Sequence, residues 1–247
     1  MTEPTGLARA AIREGERVAR RGRIREVVFG AQDGLLSTLA LVTGVRGADA
    51  QRDAVLVAGF AGALAGTISM ALGAYIAAKS QRDVFAAELE KERSQLERRP
   101  HVEVIELADI FQAEGLDYDA ANRAARAIAT NPDVMLKTMA EKELGIPYEP
   151  AGSPLSDAAT MGTSFVLGAA VPILPYLFLS TTAGLVFSVV LTLGTLFVMG
   201  TVKASLAGES RLRSGVEIAG LAGAAAALAY VVGTVVPNAL GFDPPAG

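Results

Sequence analysis

Asp33 is a carboxylate inside an otherwise apolar, membrane-length segment, Val27 to Val45. Holding a carboxylate in hydrocarbon costs roughly 2.5–3.5 kcal/mol on insertion scales, so such a residue persists where a cation, a proton or a water-filled path compensates it. Met70 lies in the next apolar segment, Ala54–Ala78. The two segments run antiparallel, and at 1.5 Å rise per residue both side chains fall about 9–12 Å from the same end. A carboxylate facing a thioether suits Fe²⁺ or Mn²⁺ better than Mg²⁺ or Ca²⁺, which seek oxygen alone. Glu26 precedes Asp33 by about two helical turns, on nearly the same face, at the mouth of the segment. It reads equally as a relay for a cation or proton and as an interfacial charge paired with a neighbouring arginine. Met70 taken alone reads as packing.

The elements that must position these residues are membrane helices. The 247-residue chain is 51% hydrophobic, with 19% charged residues gathered in clusters rather than spread, the pattern of spans separated by wet segments. Ala54–Ala78 and Ile218–Phe242 carry no charge, and each exceeds the ~20 residues a span needs. Ala158–Val202 is uncharged for about twice that length. It contains the breaker Pro172-Ile-Leu-Pro175 and the polar run Ser180-Thr-Thr-Ala-Gly184, and so reads as two spans joined by a hairpin. The expected fold is all-α: a polytopic membrane protein of five transmembrane helices with a cytoplasmic helical insert between spans two and three. Gly30, Gly34, Gly59, Gly62, Gly66 and Gly73 crowd the first two spans, where small residues let helices approach.

The expected division is a basic N-terminal segment at 1–25, spans one and two at 26–80, the insert at 81–156, spans three to five at 157–242 and a tail at 243–247. Arg9, Arg13, Arg17, Arg20, Arg21, Arg23 and Arg25 precede the first span, which predicts a cytoplasmic N-terminus in the cell (inner) membrane. Lys79, Arg82, Lys203, Arg211 and Arg213 fall on the same side, whereas Arg46 and Arg52 conflict and are accompanied by Asp49 and Asp53. Leu7–Arg23 reads either as an amphipathic helix on the inner leaflet or as a solvated basic tail. No cysteine is present, which excludes thiolate zinc and iron–sulfur sites. No cleavable signal peptide is visible.

The insert, Gln81–Ser156, carries fifteen Asp/Glu against nine Lys/Arg, a balance that concentrates cations or simply keeps a helical domain soluble. Its punctuation predicts helices at Arg82–Arg98, Val102–Glu114, Asp119–Thr130 and Asp133–Leu144. His101, the single histidine, reads as a surface residue beside Pro100.

The run Arg25-Glu-Val-Val-Phe-Gly-Ala-Gln-Asp-Gly-Leu-Leu-Ser-Thr-Leu-Ala-Leu-Val-Thr-Gly-Val45 resembles the first-span signature of the vacuolar iron transporter family. Ala65-Gly-Thr-Ile-Ser-Met-Ala-Leu-Gly-Ala-Tyr75 with Lys79-Ser-Gln-Arg-Asp83, and Gly168-Ala-Ala-Val-Pro-Ile-Leu-Pro-Tyr176, resemble its second and third spans. The resemblance implies a homodimeric five-span exporter of Fe²⁺, often also Mn²⁺, in exchange for protons, with no permanent cofactor. It implies Asp33 and Met70 as transport-path ligands and Glu26 as the cytoplasmic entrance. It further implies that the insert binds metal through positions matching Glu92, Gln95, Glu103, Glu106, Met139 and Glu143. Glu103 and Glu106 are spaced i,i+3, and Met139 and Glu143 i,i+4, so each pair shares a helix face. Without the resemblance, glutamates so spaced mark a solvated face, as Glu88, Glu90 and Glu97 do.

Three positions depart from the family pattern: Gln95 stands for a glutamate, Ala140 for a second methionine, and Gly62 for a further span-two glutamate. The expected partners are the lipid membrane, divalent metal ions, protons and a second copy of the chain, and not nucleic acid. A metal-responsive sensor, with metal on the insert and spans that only anchor it, is the alternative. An enzyme is not expected: no Glu-x-x-His pair of the di-iron type occurs. No GxxxxGK[ST] phosphate loop is present, which agrees with a secondary rather than an ATP-driven transporter.

Overall fold

A computed structural model describes residues 6–148 and 152–241; the side chains of 6–23, 25, 206 and 207 are outside that description. The basic N-terminal stretch therefore appears only as backbone, and its amphipathic reading lies outside the described side chains. Among the described residues the chain is helical throughout: α1 (Gly6–Gly47), α2 (Arg52–Arg98), α3 (Pro100–Ala113), α4 (Tyr118–Ile128), α5 (Pro132–Lys142), α6 (Pro154–Phe178), α7 (Thr181–Ala207) and α8 (Arg211–Leu240). Five segments are long and apolar enough to cross a membrane: Glu26–Gly47 of α1, and α2, α6, α7 and α8. The protein is an integral membrane protein of the expected all-α class. Two compact units are formed, one by Met1–Tyr75 with Pro154–Gly247, the other by Ile76–Ser153.

In the first unit, α1 packs against α6 and α8 through glycine. A Cβ added at Gly34 would overlap the carbonyl oxygen of Phe165, and one at Gly168 would overlap that of Ala31. At the other end of α1, a Cβ on Gly233 of α8 would overlap the carbonyl oxygen of Gly44. Lipid gives apolar side chains no reason to leave it, so helices in a membrane associate through such backbone proximity and dispersion contact. Exposed Val57, Phe60, Leu64, Ile68 and Leu72 recur at helical spacing along α2.

Two expectations about element ends need correction. The run Pro172–Pro175 does not break the chain: both prolines sit inside α6, which continues to Phe178. The turn falls at Leu179–Ser180, where Ser180 adopts the extended N-cap conformation of α7. The prolines remove the helical donors to the carbonyls of Gly168 and Val171 without ending the helix, and Ser188 ties α7 to α6 by donating to the carbonyl of Pro172 at 2.8 Å. Likewise Arg82–Arg98 is not a separate helix. It continues the second span without interruption, because Lys79-Ser-Gln-Arg contains no proline or glycine to stop it.

In the second unit, the other breakers act as expected. Asn131 caps α5, its side chain accepting from the N–H groups of Asp133 and Val134, with Pro132 in the first turn. Asp117 caps α4 by accepting from Ala120. Gly115 at φ 107° and Gly145 at φ 64° provide left-handed turns that most side chains resist. Leu107, Ala108, Ala125, Met135 and Met139 form the apolar core that these helices share.

Candidate functional site

The two short glycine contacts of α1 fix which way its remaining faces point. Gly30 and Gly34 lie against Met161, Ser164 and Phe165 of α6, so Asp33, one step around the helix, is turned toward α2. There it lines a cavity of about 360 Å³ together with Ser37, Thr38 and Leu41 of α1, Gly62, Gly66, Ser69 and Met70 of α2, and Phe165 of α6. Asp33 and Met70 are both half-buried and share this space. Phe165, 3% exposed, closes the α6 side, and a Cβ at Gly66 would collide with its ring. Gly62 lies against Leu41: a Cβ there would overlap the end of the Leu41 side chain. Glu26, two turns before Asp33, is half-buried and does not line the cavity.

Such a space, with one carboxylate, one thioether and three hydroxyls, can receive a borderline divalent cation and replace part of its water shell. Thr38 and Phe165 escape a sequence reading. Thr38 is not on the Glu26–Asp33 face, and Phe165 is one aromatic among many apolar residues.

The arginines that contradicted the charge bias are accounted for locally. Arg46 pairs with Asp49 at 2.7 Å. Arg52 donates through Nε to the carbonyl of Tyr176 and through a terminal nitrogen to that of Leu177, each at 2.6 Å. It thus satisfies carbonyls that α6 leaves open at its C-terminus.

In the second unit, the end of α2, the first turn of α3 and the C-cap of α5 bring Glu92, Glu103 and Glu143 together. One carboxylate oxygen from each lies within 4.8 Å of the others. Glu92 is 2% exposed and Glu103 1%, and a buried oxygen on each, Oε1 of Glu92 and Oε2 of Glu103, finds no hydrogen-bond donor among the described residues. Glu143 is an exposed residue with a carboxylate oxygen beside those of the pair. Burial, and next the neighbouring charges of Glu143, Glu103 and Glu106, push Glu92 up to about 7. Burial and Glu106 likewise raise Glu103, and burial with Glu106 and Glu103 raises Glu143. Lys91 and Arg99 oppose these shifts without cancelling them.

Like charges gathered out of water are unfavourable unless protonated or neutralised by a cation. Orphaned carboxylate oxygens, as well as proximity, make this trio capable of holding a cation. Glu106 and Gln95 are half-buried, and Glu106 acts on all three carboxylates through its charge. Met139 is fully buried within the apolar core, while Ala140, at 0% exposure, occupies its neighbouring buried position. His101 is exposed in the first turn of α3. Glu88 and Glu90 make exposed i,i+3 pairs with Lys91 and Arg93, as a solvated face does.

Comparison with known proteins identifies the family. Residues 24–234 match the VIT family. The chain is 36% identical over 216 residues to Vacuolar iron transporter 1 of Arabidopsis thaliana, covering 87% of this chain and 86% of that protein. It is 35% identical to Vacuolar iron transporter 2 of Oryza sativa subsp. japonica, covering 87% and 88%. Protein CCC1 of Saccharomyces cerevisiae is 30% identical over 217 residues, covering 84% and 67%. With nearly its whole membrane region and insert inside the match, this chain belongs to the VIT family.

Proposed function

We propose that this protein is a secondary transporter that exports Fe²⁺, Mn²⁺ or both from the cytosol in exchange for protons. The observation that carries the proposal is the cavity shared by Asp33 and Met70. A membrane anchor has no need of a carboxylate facing a thioether across open space, so the sensor alternative leaves this feature without a role. The names of the relatives, vacuolar iron transporters from plants, support iron as a cargo. Mn²⁺ is the second ion of this reading, since the Asp33 carboxylate suits it.

In this reading the carboxylates of Glu92, Glu103 and Glu143, with Glu106 beside them, gather ions from the cytosol. Glu26 receives the ion at the membrane, and Asp33 and Met70 hold it within the bilayer. Protonation of Asp33 from the far side weakens its hold and returns a proton inward. Metal and proton thus alternate on one carboxylate, and no nucleotide is required. The N-terminal arginines support a cytoplasmic N-terminus in the cell membrane, with the insert on the same side. The exposed apolar stripe of α2, from Val57 to Leu72, supports a homodimer, since it offers a second copy a regular helical face. No enzymatic activity is part of this reading.

Purified protein in liposomes, given a pH gradient of either sign, tests it. Fe²⁺ and Mn²⁺ flux should follow the gradient and vanish in Asp33→Ala. Equal flux in variant and wild type would remove the transport assignment.

A further inference from the structure

Thr38 differs from several hydroxyl residues of the membrane helices and shares its want of a partner among the described residues with Ser69, which lines the same cavity. A helical threonine or serine ordinarily donates to the carbonyl one turn back. Thr43 does so to Leu39 at 2.8 Å, Thr67 to Ala63 at 2.7 Å, Thr234 to Tyr230 at 2.9 Å, and Ser37 to Asp33 at 2.6 Å. Thr38 is only 2% exposed, yet its hydroxyl makes no hydrogen bond among the described residues. It lines the cavity of Asp33 and Met70. Thr192 of α7 is buried without a partner, and Ser164 and Ser214 are buried with no side-chain hydrogen bond among the described residues, but none of the three lines the cavity of Asp33 and Met70.

A hydroxyl that lines polar open space and has no partner in the protein is available to whatever enters that space. Asp33 and Met70 provide only two ligand types, whereas Mn²⁺ and Fe²⁺ seek several, mainly oxygen. Ser37 already spends its proton on the helix, which fixes that hydroxyl's orientation. Thr38 keeps both lone pairs and its proton uncommitted.

We infer that the Thr38 hydroxyl is a specificity-determining ligand of the transported ion, giving a neutral oxygen to the site formed by Asp33 and Met70. The inference rests on the transport reading proposed above. A neutral oxygen adds a hard ligand without adding charge, so Asp33 can still exchange metal for a proton. It also offsets the softness of the Met70 thioether. Removing it should therefore penalise an oxygen-seeking ion such as Mn²⁺ more than a thioether-tolerant one such as Cd²⁺.

Liposome flux of full-length wild type, Thr38→Val and Thr38→Ser tests this. Valine keeps the shape and removes the oxygen, while serine keeps the oxygen. For Thr38→Val the expected result is about a tenfold rise in apparent KM for Mn²⁺, little change for Cd²⁺, and near-wild-type behaviour in Thr38→Ser. Unchanged Mn²⁺ KM and Mn²⁺/Cd²⁺ preference in Thr38→Val, with active wild type, overturns the ligand role alone. So does an equal loss for both ions in Thr38→Val and Thr38→Ser, which marks a packing role. Absence of flux in the wild type overturns the transport reading and this inference together.

Discussion

The backbone of Gly34 lies so close to the carbonyl oxygen of Phe165 that one added carbon would overlap it. This contact joins α1 to α6 on one side of Asp33 and sets the wall of the cavity on the other, since Phe165 itself lines that space.

Gly34→Ala should therefore separate α1 from α6 and destabilise the membrane unit by about 1–3 kcal/mol, the usual penalty of overpacking. Gly73→Ala, where nothing lies within 4 Å of an added Cβ, should be neutral or slightly stabilising because alanine favours helix. Thermal unfolding of the two variants in detergent checks the contrast. Similar melting points for both would mean that the α1–α6 contact is not tight.

The insert should respond to pH in a direction set by its raised carboxylates. Glu92 is shifted from 4.5 to about 7, so between these values the folded state binds more protons than the unfolded one. Stability is then fully present below about 4.5 and is lost as pH rises through about 7. Without metal, hydrogen exchange of α3–α5 in the full-length protein should be slower at pH 5 than at pH 7.5, by about tenfold after correction for intrinsic rates. Mn²⁺ should restore protection at pH 7.5 and do little at pH 5, where protons compete for the oxygens. Metal protection equal at both pH values would count against a carboxylate site.

Glu92→Gln separates repulsion from ligation at the same position. The amide preserves volume and removes one of three mutually repelling charges. The metal-free insert should become more protected at pH 7.5, while Mn²⁺ affinity falls by about tenfold or more. Isothermal titration with exchange measurements reads both effects. A variant that loses stability as well as affinity would assign Glu92 to packing.

Glu103→Ala combined with Glu106→Ala should lower apparent metal affinity yet leave flux at saturating ion nearly intact, because the pair gathers ions rather than passing them through the bilayer. The initial rate of Mn²⁺ uptake as a function of concentration decides this. Abolished flux at saturation would give the insert a part in the transport step itself.

Arg52→Ala should cost about 1.5–3 kcal/mol, since its guanidinium serves two carbonyls at the end of α6. Arg46→Ala, which removes a pair to an 80% exposed Asp49 side chain, should cost less than about 1 kcal/mol. Melting temperatures of the two variants give the ranking.

The chain itself determined the five spans, the helical insert and nearly every helix boundary within it. These follow from local properties: apolar length, the capping of Asn131 and Asp117, and the left-handed turns at Gly115 and Gly145. Asp33 was legible for the same reason, as a charge is conspicuous in an apolar run. The local rule failed at Pro172 and Pro175, which sit inside α6 where it packs against α7 with Ser188 bonded to Pro172, a contact with no local signature. Only the tertiary structure decided that Thr38 and Phe165 face Asp33 and Met70. It likewise decided that Glu92, Glu103 and Glu143 meet, while Met139 belongs to the apolar core. Helical spacing places residues on a face of their own helix, but the rotation of that helix against its neighbours is set by contacts such as Gly34 on Phe165. Those contacts join residues far apart in the chain, so no window of sequence contains them.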